Sequence, residues 1–373
     1  MRNTLLSKLL IFLVLCVPLH LQAEKEHNDY FFKFVTSADG LAASQVNAIC
    51  KDSQGYVWFG TSNGLSRYDG YSIINFFSNH AVSTALPDGY IETIQEDHQG
   101  QLWIGTSTGY VVLDPIHETF DPGVQQRLVK VTGNVQPSLI FIDKHKNMWV
   151  VVENKGLYFY KTSMDLVYTF MQTGLDVALP HSEITGICDT RDGVAVVHRN
   201  GTVCGINSES HEVTWRNEVL AKKGIEQQNF HIHVDSNENL YIFSNNSSYI
   251  YDRQEATWYP SLSSFASAWS CSWNLGDAVI TAAATDQNGF VWITTDRAGI
   301  ILVDITERSF RRHLTNSSDQ RSIPTNNILS LYIDDTNLVW FGTMRFGAAY
   351  WGFSLYRFLS SRIGDINGID EDP

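Results

Sequence analysis

The chain has 373 residues, of which 43% are hydrophobic, and a formal net charge of −14 from 40 acidic and 26 basic residues. A wide negative field repels phosphate, which excludes nucleic acids and anionic membrane surfaces as general partners. The length alone would allow two or three domains.

The first 23 residues have the pattern of a secretory signal peptide. Arg2 and Lys8 precede an apolar run from Leu9 to Val17, and Ala23 supplies the small residue that signal peptidase requires. The run is too short to span a bilayer, and no later stretch reaches the roughly 18 apolar residues needed. We therefore predict a signal peptide over residues 1–23 and a periplasmic location.

A predicted strand at residues 30–36 follows, with no partner in the repeat that comes after it. We expect this strand to complete the outer edge of another sheet.

One pattern then recurs: an acidic residue, a glycine three positions on, a tryptophan three further, and two more glycines. The first two copies are Asp52, Gly55, Trp58, Gly60, Gly64 and Asp97, Gly100, Trp103, Gly105, Gly109. The tryptophan position recurs every 45 to 51 residues, at Trp58, Trp103, Trp149, Val196, Tyr241, Trp292 and Trp340. A unit of about 40–50 residues with four short strands is typical of one propeller blade.

The first unit shows how each blade should fold. Strands at 46–51, 56–61, 65–68 and 72–77 are separated by turns rich in Asp and Gly, which favour tight turns. We predict an all-β, seven-bladed β-propeller of four-stranded antiparallel blades over residues 24–362. The tryptophan should face the neighbouring blade, and Val196 and Tyr241 predict altered packing in units four and five.

The last residues, 363–373, repeat the first-strand pattern of residues 90–97. They predict the start of a further repeat, so the chain is either truncated or the front part of a longer protein.

Metal and disulfide sites are not indicated. The cysteines after the predicted cleavage point lack a CxxC pair and are interpreted as small buried hydrophobes; they are Cys50, Cys188, Cys204 and Cys271. The aspartate turns lack the ligand set of an EF-hand. His231 and His233 point to one side of a strand, but no third ligand is evident. We predict no metal and no cofactor.

Residues 40–70, GLAASQVNAICKDSQGYVWFGTSNGLSRYDG, resemble the repeat of two-component regulator propellers, which form periplasmic sensor regions of hybrid histidine kinases. Residues 91–114 and 328–347 are similar, and units four and five are degenerate. The resemblance implies an oligosaccharide sensor without enzymatic activity, followed in the family by a second propeller, an immunoglobulin-like module, a membrane helix and kinase domains. None of these can be placed in this sequence. Membrane attachment, and a homodimer, would then depend on downstream domains.

Strand parity nominates a binding face. In a meander, the turn between the second and third strands shares a face with the link to the next blade, which we call the link face. The Asp–Gly turns lie on the opposite face, which we call the Asp-turn face. Unlike the Asp–Gly turns, the link-face turns vary, as binding loops on a rigid scaffold do; they carry Asn63, Thr108, Lys155, Asn200, Asn246, Arg297 and Arg345.

The candidate ligand-binding residues are Asn63, Lys155, Trp269, Trp273, Arg297 and Arg345. The long link between units five and six carries the two tryptophans, whose planes suit a sugar ring. They could equally cap the hydrophobic edge of blade six. The two arginines could pair with a carboxylate or sulfate, or be surface charges without a partner.

Two alternatives to a sensor are open. A secreted lyase or glycosidase would need two carboxylates about 5–10 Å apart. Asp88, Glu183 and Asp277 lie in links on the nominated face, each in a different blade, and nothing in the sequence pairs them. The other alternative is a propeller scaffold that binds a protein through its rim.

Overall fold

The computed structural model describes residues 30–133, 135–170, 179–271, 273, 275 and 278–352. The predicted signal peptide and the predicted start of a further repeat lie outside these residues. The described strands form seven four-stranded antiparallel sheets. The predicted fold class, a seven-bladed propeller with four-stranded blades, is therefore confirmed.

Each blade is a meander of four strands. In sheet order, blades 1 to 4 consist of Val46–Lys51, Val57–Thr61, Gly64–Tyr68 and Ile73–Phe76; Ile91–Glu96, Leu102–Thr106, Gly109–Asp114 and Thr119–Asp121; Leu139–Ile142, Met148–Val152, Gly156–Lys161 and Leu166–Phe170; and Ile184–Asp189, Gly193–His198, Val203–Asn207 and Val213–Asn217. Blades 5 to 7 consist of His231–Val234, Leu240–Phe243, Ser248–Asp252 and Thr257–Tyr259; Ile280–Thr285, Val291–Thr295, Ile300–Asp304 and Ser309–His313; and Ile328–Ile333, Val339–Thr343, Ala348–Trp351 and Lys33–Val35.

The helices among the described residues are short and lie between strands. They are Val124–Arg127, Val129–Thr132, Val219–Lys222 and Leu262–Ala268, with a 3₁₀ turn at Thr162–Met164. Among the described residues, no helix is both long and apolar enough to span a membrane.

The N-terminal strand closes the ring. Lys33–Val35 pairs antiparallel with Ala348–Trp351, and Val35 lies opposite Ala348. Blade 7 also contacts blade 1 directly, since the Ser330 hydroxyl donates to the Val46 carbonyl at 3.2 Å. The prediction that the first strand completes another blade is confirmed, and blade 7 takes its fourth strand from the beginning of the chain.

The recurring aspartate and tryptophan form one buried hydrogen-bonded unit. In blade 1, Asp52 Oδ2 accepts the Trp58 indole N–H at 2.7 Å, while Oδ1 accepts backbone N–H groups of Gln54 and Tyr56. The same indole bond recurs at Asp97–Trp103, Asp143–Trp149, Asp286–Trp292 and Asp334–Trp340, at 2.9 to 3.3 Å. Each carboxylate is bound within its own blade, as expected of turn residues.

The tryptophans face the next blade, as predicted. Trp58 is fully buried among residues of blade 2, including Ile94 and Ile104. The Trp340 ring lies 5.8 Å from that of Phe59 in blade 1, in an edge-to-face arrangement. The indoles therefore fill the wedge between adjacent sheets.

Blade 4 differs from the sequence-based assignment by one residue. Cys50 pairs with Trp58 in blade 1, whereas its counterpart Cys188 pairs with Ala195. The assignment of Val196 to the tryptophan position was therefore wrong, and Val196 packs toward blade 3 instead. The first turn of blade 4 is one residue shorter, which a fixed repeat spacing does not reveal.

The altered packing predicted for blades 4 and 5 is confirmed. In blade 4 the indole of Trp215 lies over Gly205, which pairs with Ala195, and a Cβ on Gly205 would come 2.0 Å from Trp215 Nε1. An indole from the fourth strand thus replaces the missing one. In blade 5 the phenol of Tyr241 is 3.2 Å from Asp235 Oδ2.

Cys50, Cys188 and Cys204 are buried free thiols. Burial raises the pKa of Cys50 and of Cys204 to about 12. These three thiols therefore pack as small hydrophobes, as predicted. His233 also packs internally, with its Nε2 2.8 Å from the Thr285 hydroxyl of blade 6.

Candidate functional site

The structure confirms the two faces inferred from strand parity. Turns between second and third strands bond to the residues that lead into first strands. Ser62 N–H donates to the Gln45 carbonyl at 3.1 Å, and Ser107 N–H donates to the Tyr90 carbonyl at 3.2 Å. Turns and links therefore form one continuous surface, the link face.

Large apolar side chains are exposed on the link face of blades 7, 1 and 2. Phe77 is 52% exposed, Phe346 49%, Met344 41% and Tyr90 39%. Exposure of this kind is what a binding surface needs, because single exposed apolar residues are common but a group on one face is not. We call these four residues, with Asn63 and Arg345, the aromatic rim.

Backbone hydrogen bonds bring the parts of the aromatic rim together. Gly347 N–H donates to the Ser44 carbonyl at 2.8 Å, which holds the blade 7 turn against the segment leading into blade 1. Gly64 N–H donates to the Gly89 carbonyl at 2.7 Å, which holds the blade 1 turn against the link into blade 2. Phe77 also approaches Gly64, whose added Cβ would lie 3.2 Å from the Phe77 ring.

Buried threonines shape the turns that display the rim. The Thr61 hydroxyl donates to the Gly64 carbonyl at 2.7 Å and accepts the Asn63 N–H at 3.2 Å. In blade 7, the Thr343 hydroxyl donates to the Gly347 carbonyl at 2.8 Å and accepts the Phe346 N–H at 2.9 Å. The side chains of Asn63, Arg345 and Phe346 are exposed, while their backbones are held in place.

Polar groups lie beside the aromatic rim. Gln45 Nε2 donates to Asn47 Oδ1 at 2.9 Å and lies 3.5 Å from the Tyr90 hydroxyl. Asp88 accepts the Ser107 hydroxyl, and this bond holds the pKa of Asp88 below its usual value. The surface therefore combines apolar planes with amide, guanidinium and carboxylate groups.

The other predicted site residues are distributed around the ring. Lys155 is exposed in the corresponding turn of blade 3. Arg297, in blade 6, has its Nε 2.9 Å from Asp296 Oδ2. The structure thus places Asn63 and Arg345 in adjacent blades, with Arg297 one blade beyond and Lys155 two blades away from Asn63.

Trp269 and Trp273 pack at the edge of blade 6. The Trp269 ring centroid lies 4.6 Å from that of Phe265 and 5.5 Å from that of Phe310, and the Trp273 ring is 6.5 Å from Phe310. This matches the alternative in which the two tryptophans cap the hydrophobic edge of blade 6. Trp269 also lines a concavity among residues of the Asp-turn face, away from the aromatic rim.

The carboxylates considered for catalysis are held by local partners. Asp88 lies in the link into blade 2, and Glu183, in the link into blade 4, is 3.7 Å from Arg199 Nε. Asp277 lies outside the described residues. Asp88 and Glu183 therefore belong to different blades and have separate partners.

Phe77, Tyr90 and Met344 were not among the residues predicted from sequence. Phe77 and Tyr90 lie at the ends of predicted strands, where an aromatic residue is usually buried. The signal that could have found them is their position in links of the nominated face.

Three segments, residues 40–63, 85–108 and 322–345, match the family model described as "Two component regulator propeller". They cover the segments leading into blades 1, 2 and 7 and the turns after their second strands. Three of the seven blades thus carry segments that match the repeat of this family. The aromatic rim lies on the same three blades that match the family model.

Relatives of this propeller include a protein named histidine kinase P4 from Formosa agariphila, 33% identical over 86 residues, which are 23% of this chain and 6% of that protein. The fold of the present chain is similar to that of the extracellular domain assigned to a hybrid two-component system of B. thetaiotaomicron, with a TM-score of 0.62. The two are 18% identical, and the match covers 86% of this chain and 42% of that one. The propeller thus spans less than half the length of both proteins.

The same fold also occurs in an enzyme. A virginiamycin B lyase from Staphylococcus aureus matches with a TM-score of 0.56 and 11% identity, over 87% of this chain and 99% of the lyase. At these identities the structural matches show the propeller fold, and function must be argued from the site.

Proposed function

We propose that this propeller is the periplasmic sensor domain of a hybrid two-component histidine kinase, and that it binds an oligosaccharide on its link face. The kinase would belong to parts of the protein beyond this sequence, and so would membrane attachment. The observation that carries the proposal is the aromatic rim on blades 7, 1 and 2. Similarity to extracellular domains of hybrid two-component systems supports it.

The chemistry of the aromatic rim suits a sugar. A pyranose ring has an apolar C–H face that packs on aromatic side chains, and a hydroxylated edge that needs hydrogen-bonding groups. Phe346 and Phe77 offer aromatic rings for the apolar face, while Asn63 and Arg345 offer hydrogen-bonding groups for the hydroxylated edge. Arg345 would form bidentate hydrogen bonds with a carboxylate or sulfate group of an acidic sugar.

The rigidity of the scaffold favours binding without a large ordering cost. The turns that display Asn63 and Phe346 are already held by hydrogen bonds from Thr61 and Thr343. A pre-organised surface loses little conformational entropy when a ligand binds.

Isothermal titration of the purified protein against plant, host and microbial oligosaccharides tests this function. We expect at least one to bind, and we expect Phe346→Ala and Asn63→Ala to weaken binding at least tenfold. Tyr71→Ala is the matched control, because Tyr71 is a fully exposed aromatic residue in the turn between the third and fourth strands of blade 1, on the Asp-turn face.

Arg345→Gln separates acidic from neutral sugars. Loss of binding to acidic oligosaccharides only would assign Arg345 to a carboxylate or sulfate. No binding across the panel, or binding that the rim variants leave unchanged, would reject the proposed sensor site.

A further inference from the structure

The concavity lined by Trp269 lies at blades 5 and 6, among turns of the Asp-turn face. Its volume is about 350 Å³, and its walls include Asn237, Asn239, Asp252, Arg253, Trp269 and Arg308. Volumes of about 300–1,000 Å³ are typical of small-ligand sites. The walls are mostly amides, carboxylates and guanidiniums around a single indole.

Asp252 brings an unused acceptor to this concavity. The residue is 2% exposed, and its Oδ1 accepts the Glu255 N–H at 3.1 Å. Its Oδ2 is buried without a hydrogen-bond partner, and Arg308 Nη2 lies 4.0 Å away. Arg308 donates instead to Glu255 Oε1 at 2.7 Å. A buried carboxylate oxygen without a donor is costly, so a ligand that donates there gains free energy.

Trp269 brings an unused donor to the same concavity. Its Nε1 is buried without a hydrogen-bond partner. Contacts with Phe265 and Phe310 hold the ring, and Arg308 Cζ lies 5.6 Å from its centroid. A hydroxyl group both donates and accepts, so hydroxyls of one ligand could satisfy Asp252 and Trp269 together.

The mouth of the concavity is nearly balanced in charge. Arg191, Arg253 and Arg308 line it together with Asp252 and Glu238. Arg253 lies 3.4 Å from Glu238, and its backbone N–H donates to Asn239 Oδ1 at 2.8 Å. Since Arg253 is already paired with Glu238 and Arg308 with Glu255, a neutral ligand fits better than an ion.

We propose that this concavity binds a neutral polyhydroxylated ligand, such as a single sugar ring, through Asp252 Oδ2 and Trp269 Nε1. The site lies on the face opposite the aromatic rim. It is therefore independent of the proposed sensor site, and either can exist without the other.

Fluorine NMR of the protein labelled with 5-fluorotryptophan tests the proposal. Trp269→Phe assigns the Trp269 resonance, and glucose, galactose, mannose, xylose, maltose and cellobiose serve as probes. We expect at least one sugar to shift this resonance saturably, and we expect Asp252→Asn to weaken that binding at least tenfold, because it replaces the unused acceptor with a donor.

Two controls locate the effect. Trp273→Phe changes the neighbouring tryptophan, which also lies near Phe310 but does not line the concavity, and should leave the affinity unchanged. Phe346→Ala changes the aromatic rim and should also leave it unchanged. If Asp252→Asn fails to fold, Arg253→Gln at the exposed mouth should weaken binding about threefold.

The outcomes distinguish the two proposals. No shift with any sugar, or a shift that Asp252→Asn leaves unchanged in the folded protein, overturns the concavity as a sugar site. A Trp269 shift that Phe346→Ala abolishes also overturns it and assigns binding to the rim. If a sugar still shifts the Trp269 resonance while no oligosaccharide binds at the aromatic rim, the concavity is supported as a sugar site and only the rim site is rejected.

Discussion

Blades 3 and 4 share one topology but fill the wedge between sheets in different ways. In blade 3, the fully buried Trp149 donates to Asp143 at 3.0 Å and stacks on Phe159 at 4.2 Å. In blade 4, Ala195 occupies the tryptophan position, and the indole comes from Trp215 on the fourth strand. In the two blades the indole comes from different strands, the second strand in blade 3 and the fourth in blade 4.

The aspartate changes together with the tryptophan. Thr190 stands at the aspartate position of blade 4, and its N–H donates to the Gly193 carbonyl at 2.8 Å in a shorter turn. In blade 5 the Tyr241 phenol replaces the indole as the donor, and Asp235 is present at the aspartate position. The comparison indicates that a buried carboxylate is retained where a side-chain donor can reach it, because an unpaired one is destabilising.

The largest expected effect is at Trp149. Trp149→Ala should lower the free energy of unfolding by about 3–5 kcal/mol, because it removes a fully buried indole and leaves a cavity. Urea unfolding followed by circular dichroism measures it. A loss below about 1 kcal/mol would mean that the wedge of blade 3 collapses to fill the space.

Gly205→Ala should have the next largest effect. The added Cβ would lie 2.0 Å from Trp215 Nε1, and overpacking of this kind costs about 1–3 kcal/mol. In a double-mutant cycle measured by thermal unfolding, Trp215→Ala should remove most of the penalty of Gly205→Ala. Additive effects would contradict the placement of Trp215 over Gly205.

Asp143→Asn tests the aspartate–tryptophan pair itself. The amide can still accept the backbone N–H groups of His145 and Asn147, but its NH₂ would face the Trp149 indole N–H, at a cost of about 1–3 kcal/mol. Thr190→Asn, at the matching position of blade 4, should change stability far less. Chemical denaturation measures the free energy of unfolding of both variants. Equal losses would show that the aspartate–tryptophan hydrogen bond adds no stability beyond that of the turn.

The smallest expected effect depends on pH. His198 ends the second strand of blade 4, where blade 3 has Val152, and burial lowers its pKa to about 3. The unfolded chain binds a proton near pH 6.5 that the folded protein resists, so stability falls as pH decreases below 6.5. We expect a loss of about 1 kcal/mol between pH 7 and 5.5 from this residue.

His198→Thr is the matched control for the pH effect, because blades 1 and 2 carry Thr61 and Thr106 at this position. Thermal unfolding at several pH values should show a shallower acid slope in the variant. An unchanged slope would assign the acid sensitivity to other buried histidines, such as His233 and His313, whose pKa values are lowered by burial to about 4.

Several features followed from local patterns. The Asp–Gly turns, the tryptophan facing the next blade, the unpaired strand at residues 30–36 and the division into two faces were all predicted, because turn chemistry and strand parity depend only on nearby residues. The assignment of Val196 was wrong because a single missing turn residue reverses which side chains face which neighbour.

The candidate sites were less accessible to prediction. Asn63 and Arg345 were found because the turns carrying them could be assigned to a face. Phe77, Tyr90 and the concavity at Asp252 were missed, because exposure of an aromatic residue and pairing of a buried carboxylate depend on neighbours distant in the chain.

The sequence by itself determined the number of blades, the strand order within them and the assignment of the first strand to another blade, because these depend on a repeated local pattern. Only the tertiary structure decided which indole fills the wedge of blade 4, which rim residues meet across blades 7, 1 and 2, and which buried groups lack partners. Those outcomes depend on packing between sheets, where side chains compete for one shared volume and no local rule assigns the space.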